Sequence, residues 1–259
     1  MIFYRTKNLM CGKDDMMNVE YTTEQLARKW QDKFEVRNLM SKYASSFLMK
    51  REKIIYDTCF CSGSNRPTLG LNNGYYVGEE AIRGYFDAVD ANTQKKSRLV
   101  QKLFPEFLAH RSDEDIHGVG ESTVFPIVAG VVEIAGDRKT AKGCWLCFGA
   151  DISIGTDGPV HRWQYGSMAA DFIREDGQWR IWHLKHIIDL DAPGGSDWTK
   201  EPKVYPDLPE FEALRGLTLP EPTVPEKVHE PFYVGRPFSP LLPVPVPYES
   251  FADTFSYGV

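Results

Sequence analysis

Two close cysteine pairs are the first candidates for chemistry in this sequence. Cys59 and Cys61 flank one residue, and Cys144 and Cys147 flank two. A zinc site with the second spacing needs a turn that directs both sulfurs inward, whereas residues three apart on an apolar strand face opposite sides. Five cysteines in a long chain also argue against a disulfide framework. We therefore expect buried, reduced thiols.

The histidines near the end of the apolar segments show no metal-binding pattern. His161, His183 and His186 have no recognisable ligand spacing with a carboxylate, so we predict no metal site. His183 and His186 lie where both faces of a strand carry large groups, and periodicity does not say which face points inward. A packing role in a sheet is expected for both, with catalysis as the alternative.

Motifs for bound cofactors are missing. The glycines of residues 70–74 have no following Lys-Ser/Thr and no strand–helix–strand context, so a nucleotide would lack a phosphate cradle. No Gly-x-Ser-x-Gly nucleophile motif is present. We expect no cofactor. The remaining chemistry is proton transfer, elimination of water, retro-aldol-type cleavage, isomerisation or cyclisation in a mostly apolar pocket.

Helices are predicted in the first half of the chain. Thr22 and Gln25 fit a capping box, and apolar residues then recur every three or four positions. An acidic start after Gly78 complements the dipole of a later helix. The predicted helices cover residues 22–47, 52–60, 79–89 and 99–110, the last with a break at Pro105.

After His117 the pattern changes to long strands separated by turn signals such as Gly136-Asp137. Helices followed by strands predict a segregated α+β domain in which a curved antiparallel sheet wraps over the helices. The predicted strands cover residues 125–134, 141–154, 163–174 and 178–188.

Composition places the chain among ordinary globular proteins. Of its 259 residues, 42% are hydrophobic and 25% charged, and 30 Lys and Arg against 36 Asp and Glu give a net charge of −6. This acidity argues against nucleic acid and anionic membranes as partners. No apolar run reaches membrane-spanning length, and charges interrupt the amino terminus before a signal-peptide core. A cytoplasmic protein is expected.

The last part of the chain differs in composition from the rest. Thirteen of the 17 prolines and ten aromatic residues follow Asp191. Prolines exclude most of this part from helix or sheet interiors, while the aromatic content is too high for a solvated tail. We predict an N-terminal extension (1–20), an α+β domain (21–191) and an extended Pro-rich arm (192–259).

Four segments resemble the nuclear transport factor 2-like superfamily, in its SnoaL-like and scytalone-dehydratase-like branch. They are residues 39–44, 74–82, 132–143 and 171–181. The resemblance implies a cone-shaped α+β barrel around a cavity. The superfamily contains dehydratases, isomerases, cyclases, other lyases and binding proteins, so the fold does not choose the reaction.

One local motif narrows the reaction. His117-Gly-Val-Gly120 is similar to the His-x-x-Gly segment of scytalone dehydratase, which implies that His117 faces the cavity and acts in acid/base catalysis. The position of the carboxylate in that enzyme's first helix corresponds to the neighbourhood of Phe47 and Leu48, so this carboxylate is absent here. The position of its second histidine lies near Trp145. The loss of these groups and the presence of Trp145 predict a pocket for a larger aromatic substrate.

Strand parity supplies further candidates. If Ser167 faces inward, as the resemblance suggests, then Trp163, Tyr165 and Asp171 share its face. Tyr165 could donate a proton or hold an oxyanion, and Asp171 could orient a base, with core packing and a strand-end charge as the alternatives. Candidate substrate contacts are Asn72, Asn73 and Tyr76 ahead of the third helix, together with Tyr43, Trp145, Trp163 and Ser167.

These observations predict a cofactor-independent lyase for a hydroxylated aromatic or polycyclic small molecule, which loses water or, by retro-aldol-type cleavage, formaldehyde. The alternatives are an isomerase or cyclase acting on a polycyclic ketone and a non-catalytic carrier. The resemblance implies a homo-oligomer, a dimer or trimer formed through the outer sheet face. We expect the arm to pack against a neighbouring subunit, so that deletion after Asp191 lowers oligomer mass and melting temperature.

Overall fold

The computed structural model describes residues 22–155, 158–195, 219–232 and 242–259. The predicted N-terminal extension and about half of the predicted arm therefore lie outside the described residues. Among the aromatic residues of the arm, the undescribed ones are Trp198, Tyr205, Phe211, Tyr233 and Phe238.

The predicted helices are present, with some changes in extent. The Thr22 side chain accepts from the Gln25 backbone N–H at 3.2 Å, and the Gln25 side chain accepts from the Thr22 N–H at 2.8 Å, which confirms the capping box. None of the helices in the described ranges is long and apolar enough to cross a membrane. The helices are α1 (Thr23–Leu48), α2 (Ile55–Cys59), α3 (Glu79–Leu103), α4 (Pro105–Leu108) and α5 (Asp113–Ile116), with 3₁₀ turns at Glu52–Ile54, Gly63–Asn65 and Phe251–Asp253.

The strands form one curved, mostly antiparallel sheet, which confirms the α+β fold class. The sheet order is β3-β5-β6-β7-β1-β2-β8, with β4 also paired to β5, and only β1 and β7 pair in parallel among these neighbours. The strands are β1 (Thr68–Leu71), β2 (Gly74–Val77), β3 (Ser122–Val124), β4 (Ile127–Ile134), β5 (Thr140–Gly155), β6 (Gly158–Glu175), β7 (Gln178–Pro193) and β8 (Val224–Pro225).

The sheet has two faces with different partners. On the inner face, Met168 and Phe172 of β6 join one apolar core with Met40 of α1. On the outer face, Ala169 packs with Tyr257 near the end of the chain. Because neighbouring residues of a strand point to opposite sides, these contacts fix the orientation of every residue between them.

The β1–β2 hairpin and β3 are not predicted by the sequence pattern. Each strand has only three or four residues, too few to establish a period of two. The hairpin turn at Asn72-Asn73 leads into Gly74, whose φ of 154° and contact with Pro222 leave no room for a side chain. Helix α3 joins the helix predicted over 79–89 to the first part of the one predicted over 99–110. It ends before Pro105, where the predicted break separates it from α4.

The described parts of the arm contact the sheet of the same chain. Strand β8 adds to β2, and the N–H groups of Gly136 and Asp137 donate to the carbonyls of Tyr248 and Glu249, each at 3.0 Å. Tyr257 is buried. We call residues 242–259 the C-terminal segment. Packing of the arm on a neighbouring subunit stays a prediction.

Candidate functional site

Three acceptor side chains from three separate elements meet beside α3. Glu52 begins the 3₁₀ turn after α1, Asp90 lies in the middle of α3, and His117 ends α5. One ligand-type atom from each lies within 4.8 Å of the other two. We call these residues the acceptor trio. His117, the catalytic candidate of the sequence motif, is thus brought together with two carboxylates.

The tautomer of His117 follows from its partner on the other ring nitrogen. Nδ1 lies 2.7 Å from Oε1 of Gln94, and because an amide oxygen only accepts, Nδ1 carries the proton. Nε2 is buried without a hydrogen-bond partner and lies 3.4 Å from Oδ1 of Asp90. The ring is fixed further because the Gly118 N–H donates to Ser97 at 2.9 Å.

Glu52 is the most buried member of the trio. Only 2% of it is exposed, and its Oε2 atom is buried without a hydrogen-bond partner. Burial raises the pKa of this carboxyl group, although Lys50 and His117 act in the opposite direction. A buried carboxylate is costly unless a positive charge lies near it. The trio is therefore suited to hold a positive charge between its members.

Glu52 also lines an open cleft of about 360 Å³. The aromatic ring of Phe47 forms part of one wall, and the remaining wall is mostly polar and comes from the start of the sheet and the middle of α3. The lining residues besides these two are Lys50, Val89, Asn92, Thr93, Lys96, Glu121, Thr123, Asp151 and Leu219.

The charged groups of the cleft are mutually paired. Glu121 contacts Lys96 at 2.6 Å and Lys50 at 3.2 Å. Burial opposes ionisation of Glu121, but Lys96 and Lys50 together hold its pKa below the usual value. Lys50 also donates to Thr123 at 2.9 Å, and Thr123 donates to Asp151 at 2.7 Å. This network fixes part of the cleft wall.

Four predicted site residues lie on the outer face instead of the inner face. Trp163, Tyr165, Ser167 and Asp171 do share one face, as parity predicts, but it is the face of Ala169. The expected inward orientation is wrong because it depended on the placement of Ser167, and a one-residue error in that placement reverses every side chain. These residues do not face the helices, so the roles predicted for Tyr165 and Asp171 inside the cone lose their basis.

Asp171 instead belongs to a buried network on the outer face. It is bound by the Lys142 ammonium group, lies 2.9 Å from Nδ1 of His183, and accepts from Ser256 at 3.1 Å and from the Tyr257 N–H at 2.8 Å. We call Lys142, Asp171, His183 and Ser256 the outer-face network. Ser256 and Asp171 share the same nitrogen of His183, so the three do not form a proton relay of the Ser-His-Asp type.

Aromatic rings of the C-terminal segment cover Lys142. Its ammonium group lies 4.5 Å from the ring centre of Phe255, 4.7 Å from Phe251 and 5.0 Å from Tyr257. Such cation–π contacts compensate part of the lost hydration. Burial lowers the pKa of Lys142, and Asp171 opposes the shift. The outer-face network is therefore a satisfied structural element.

Tyr43 and Trp145 lie on the inner side but inside the packed core. They are 1% and 4% exposed. The indole of Trp145 covers Gly130 and Gly143, where any Cβ would overlap the ring, and its edge meets Phe172 with 6.2 Å between ring centres. Their predicted substrate contacts stay untested, and their visible role is core packing.

His186 is a third histidine with a distinctive environment. Its residue partner in the β6–β7 register is Met168, an inner-face residue, and its ring lies 5.2 Å from that of Phe125. Nε2 is buried without a partner, and burial lowers the pKa of His186 to about 4. It is therefore neutral near pH 7.

The predicted contacts ahead of α3 have structural roles. Asn72 donates to the Ile188 carbonyl at 2.7 Å and accepts from the Ile188 N–H at 2.9 Å, which ties the hairpin to β7. Asn73 is exposed at the turn. Tyr76 is buried, and its hydroxyl donates to the Pro220 carbonyl at 2.8 Å.

The four described cysteines are buried thiols without disulfides, in agreement with the sequence prediction. Cys144 packs on the outer face with Tyr257, whereas Cys147 belongs to the inner core. These two sulfurs therefore point to opposite sides of β5. Burial raises the pKa of Cys144 to about 11. Cys11 lies outside the described residues.

Sequence reasoning missed Glu52, Asp90 and Gln94. One usable signal exists, because Asp90 and Gln94 are four residues apart and must lie on one side of a helix. Glu52 has no such signal. It is one of several charged residues between two helices, and only the tertiary structure brings it to His117.

Comparisons with known proteins gave structural likenesses only. The chain is similar to the Kfla4162 protein from Kribbella flavida (15% identity, 62% of this chain and 93% of that one, TM-score 0.46). It is similar to a type 2 hexachlorocyclohexane dehydrochlorinase, LinA (13%, 71% and 99%, 0.45), and to an NTF2-like protein with a cystatin-like fold from Novosphingobium aromaticivorans (14%, 71% and 94%, 0.40). No protein-family model and no curated protein matches the chain.

Proposed function

We propose that this protein is a cofactor-independent lyase whose proton-transfer groups are Glu52 and His117, with Asp90 beside them. The observation that supports this best is the pair of buried, unpartnered atoms, Glu52 Oε2 and His117 Nε2, which lie near each other, with Glu52 lining the cleft. Side chains in such an environment are typical of sites for general acid/base chemistry.

The cleft defines which group meets the substrate. Glu52 lines it, so Glu52 is the proposed proton carrier to and from the substrate. His117 Nε2 lies within 4.8 Å of the Glu52 carboxylate and is the proposed partner that exchanges a proton with it. Gln94 holds the ring in place through Nδ1.

The proposed substrate is a hydroxylated aromatic or polycyclic compound. In a dehydration, the phenol O–H gives its proton to solvent, its oxygen supplies electrons through the ring, the benzylic C–O bond breaks, and the leaving hydroxide takes the proton carried by Glu52. In the retro-aldol-type alternative, a hydroxymethyl O–H loses its proton, the C–C bond breaks, formaldehyde leaves, and the proton returns to the ring carbon. Phe47 supplies an aromatic wall for such a ring.

The test is to incubate the pure full-length protein, without added cofactor, with a panel of phenolic diols and hydroxymethyl-substituted aromatic and polycyclic compounds. The expected result is a product lighter by one water or one formaldehyde, measured by mass spectrometry. Equal conversion by the Glu52→Gln variant would contradict the assignment, as would the absence of conversion across the panel.

The same panel separates the two alternatives. A product of unchanged mass but different retention would indicate the isomerase or cyclase that the sequence also allows. Tight binding of a panel member without any product would indicate a carrier, a reading favoured by the outward orientation of Tyr165 and Asp171.

We also propose that the protein forms a homo-oligomer through the part of the outer face that is exposed among the described residues. Beyond the area covered by the C-terminal segment, this face exposes Leu146, Phe148 and Ile152 of β5, and the Phe148 ring stacks on Trp163 with 5.7 Å between ring centres. An exposed apolar strip of this kind is typical of an interface between subunits. Phe148→Glu should reduce the mass measured by light scattering, and an unchanged mass would exclude this interface.

A further inference from the structure

We infer that Glu52, Asp90 and His117 form a binding site for one divalent transition-metal cation. Their ligand-type atoms are mutually within 4.8 Å, and the three residues come from three elements that pack together. This inference does not rest on the proposed function, because a cation site can exist whether or not the cleft is catalytic.

The hydrogen bonding of the trio is the first argument. Nε2 of His117 and Oε2 of Glu52 are both buried without a hydrogen-bond partner, and Glu52 is almost completely removed from solvent. A buried polar atom left unpaired keeps the full cost of its lost hydration. A cation between the three atoms would satisfy all of them at once.

The spacing is the second argument. Ligand atoms bound about 2.1 Å from a tetrahedral Zn²⁺ ion lie about 3.4 Å from one another. Asp90 Oδ1 and His117 Nε2 are 3.4 Å apart. A ligand-type atom of Glu52 lies within 4.8 Å of both.

The surroundings of the ligands are the third argument. The hydrogen bond from Nδ1 of His117 to Gln94 fixes the tautomer in the way that outer partners of metal-bound histidines do. The nearby ammonium group of Lys50 pairs with Glu121 at 3.2 Å instead of forming an ion pair with Glu52. Because Glu52 lines the cleft, a fourth position faces a space where water or a substrate oxygen can enter.

The ligand types indicate the class of cation. One imidazole and two carboxylates suit Zn²⁺, Mn²⁺ or Fe²⁺, whereas Mg²⁺ and Ca²⁺ prefer oxygen ligands alone. A cation would also occupy the Nε2 lone pair that the proposed proton transfer uses. Saturation with Zn²⁺ should therefore abolish turnover on any substrate found with the panel.

The test is isothermal titration of the metal-stripped full-length protein with Zn²⁺, supported by the visible absorption of bound Co²⁺. The expected result is one equivalent bound, with affinity lowered roughly tenfold or more in Glu52→Gln, Asp90→Asn and His117→Gln, since even outer partners of a metal ligand contribute that much. Asp87→Asn is the matched control, because Asp87 is an exposed carboxylate on the same helix, one turn before Asp90.

Absence of zinc binding by the wild-type protein, or equal affinity in Asp90→Asn, would overturn the inference. Melting curves without metal show which variants are folded, and Asp90 keeps the test decisive if a change at the buried Glu52 prevents folding. Zinc binding without conversion of any panel compound would refute the proposed lyase and leave the site standing. Conversion of a panel compound without zinc binding would refute the cation site and leave the proposed lyase standing.

Discussion

Two clusters in this protein use the same residue types with opposite results. The outer-face network joins a histidine and a carboxylate to a lysine, a serine and a backbone N–H, and covers them with aromatic rings. The acceptor trio joins a histidine to two carboxylates and leaves two buried atoms without donors.

The difference lies in the balance of charges and donors. In the outer-face network each acceptor oxygen of Asp171 has a partner, and Lys142, Asp171 and His183 are buried, so the cluster stabilises the fold. In the trio, acceptors outnumber donors and Glu52 borders an open cleft. A satisfied network holds a structure together, whereas an unsatisfied one is available to bind a proton, a cation or a substrate.

The largest expected effect is on turnover, and it concerns the trio. Glu52→Gln and His117→Gln should each lower turnover by roughly 10²–10⁴-fold, the usual contribution of general acid/base catalysis. Their melting temperatures should change little, because neither residue provides a donor to the other. Steady-state rates and thermal melts of both variants, with Asp87→Asn as control, give the measurement. Full activity in His117→Gln would remove the histidine from the mechanism.

The second prediction concerns the outer-face network, where a substitution should lower stability and leave turnover unchanged. Lys142→Met leaves the buried carboxylate of Asp171 without its ammonium partner and should lower the free energy of unfolding by about 3–5 kcal/mol. Lys139→Met replaces an exposed lysine three residues before Lys142. It should change the free energy of unfolding little. Urea denaturation compares the two. Turnover per folded molecule should match the wild type, and a specific loss of activity in Lys142→Met would show that the network is not merely structural.

A third prediction uses His186, which is buried like the network but unpartnered like the trio. Its pKa falls to about 4 in the folded protein, from an ordinary value of 6.5. Between those values the unfolded chain binds a proton that the folded protein does not, so stability must fall as the pH is lowered from 6.5 to 4.

The contribution of His186 should be about 3 kcal/mol across that range. His186→Gln should flatten the stability profile measured by denaturant unfolding at a series of pH values. His110→Gln, at an exposed histidine of the connection after α4, serves as the control. The same slope in wild type and His186→Gln would show that this ring is not the source.

The smallest expected effect concerns the cover over the outer-face network. Ser256→Ala removes one hydrogen bond to Asp171 while the Tyr257 N–H still donates to the same oxygen. A loss of about 1 kcal/mol is expected, the usual net value of one hydrogen bond. Truncation before residue 242 should cost much more, because it exposes Lys142 and Asp171. Equal melting temperatures for full-length and truncated protein would mean that the C-terminal segment does not stabilise the sheet.

The sequence by itself determined the order and type of the main elements. The Thr22 capping box, the three- and four-residue spacing in α1 and α3, and the turn signals between the long strands are local, so they act before any tertiary contact forms. The prediction that alternate residues of β6 share one face is also confirmed, because alternation is a property of the strand itself.

Only the tertiary structure decided which face of the sheet is inside and which polar groups meet. Four residues of β6 share one face whichever way the sheet is oriented, namely Trp163, Tyr165, Ser167 and Asp171. That face is outside because Met168 and Phe172, on the opposite face, belong to the same apolar core as Met40 of α1. Glu52, Asp90 and His117 are separated by 38 and 27 residues, and no local spacing relates them. They come together because the turn after α1, the middle of α3 and the end of α5 pack against one another, which is a non-local result of burying the apolar sides of those helices.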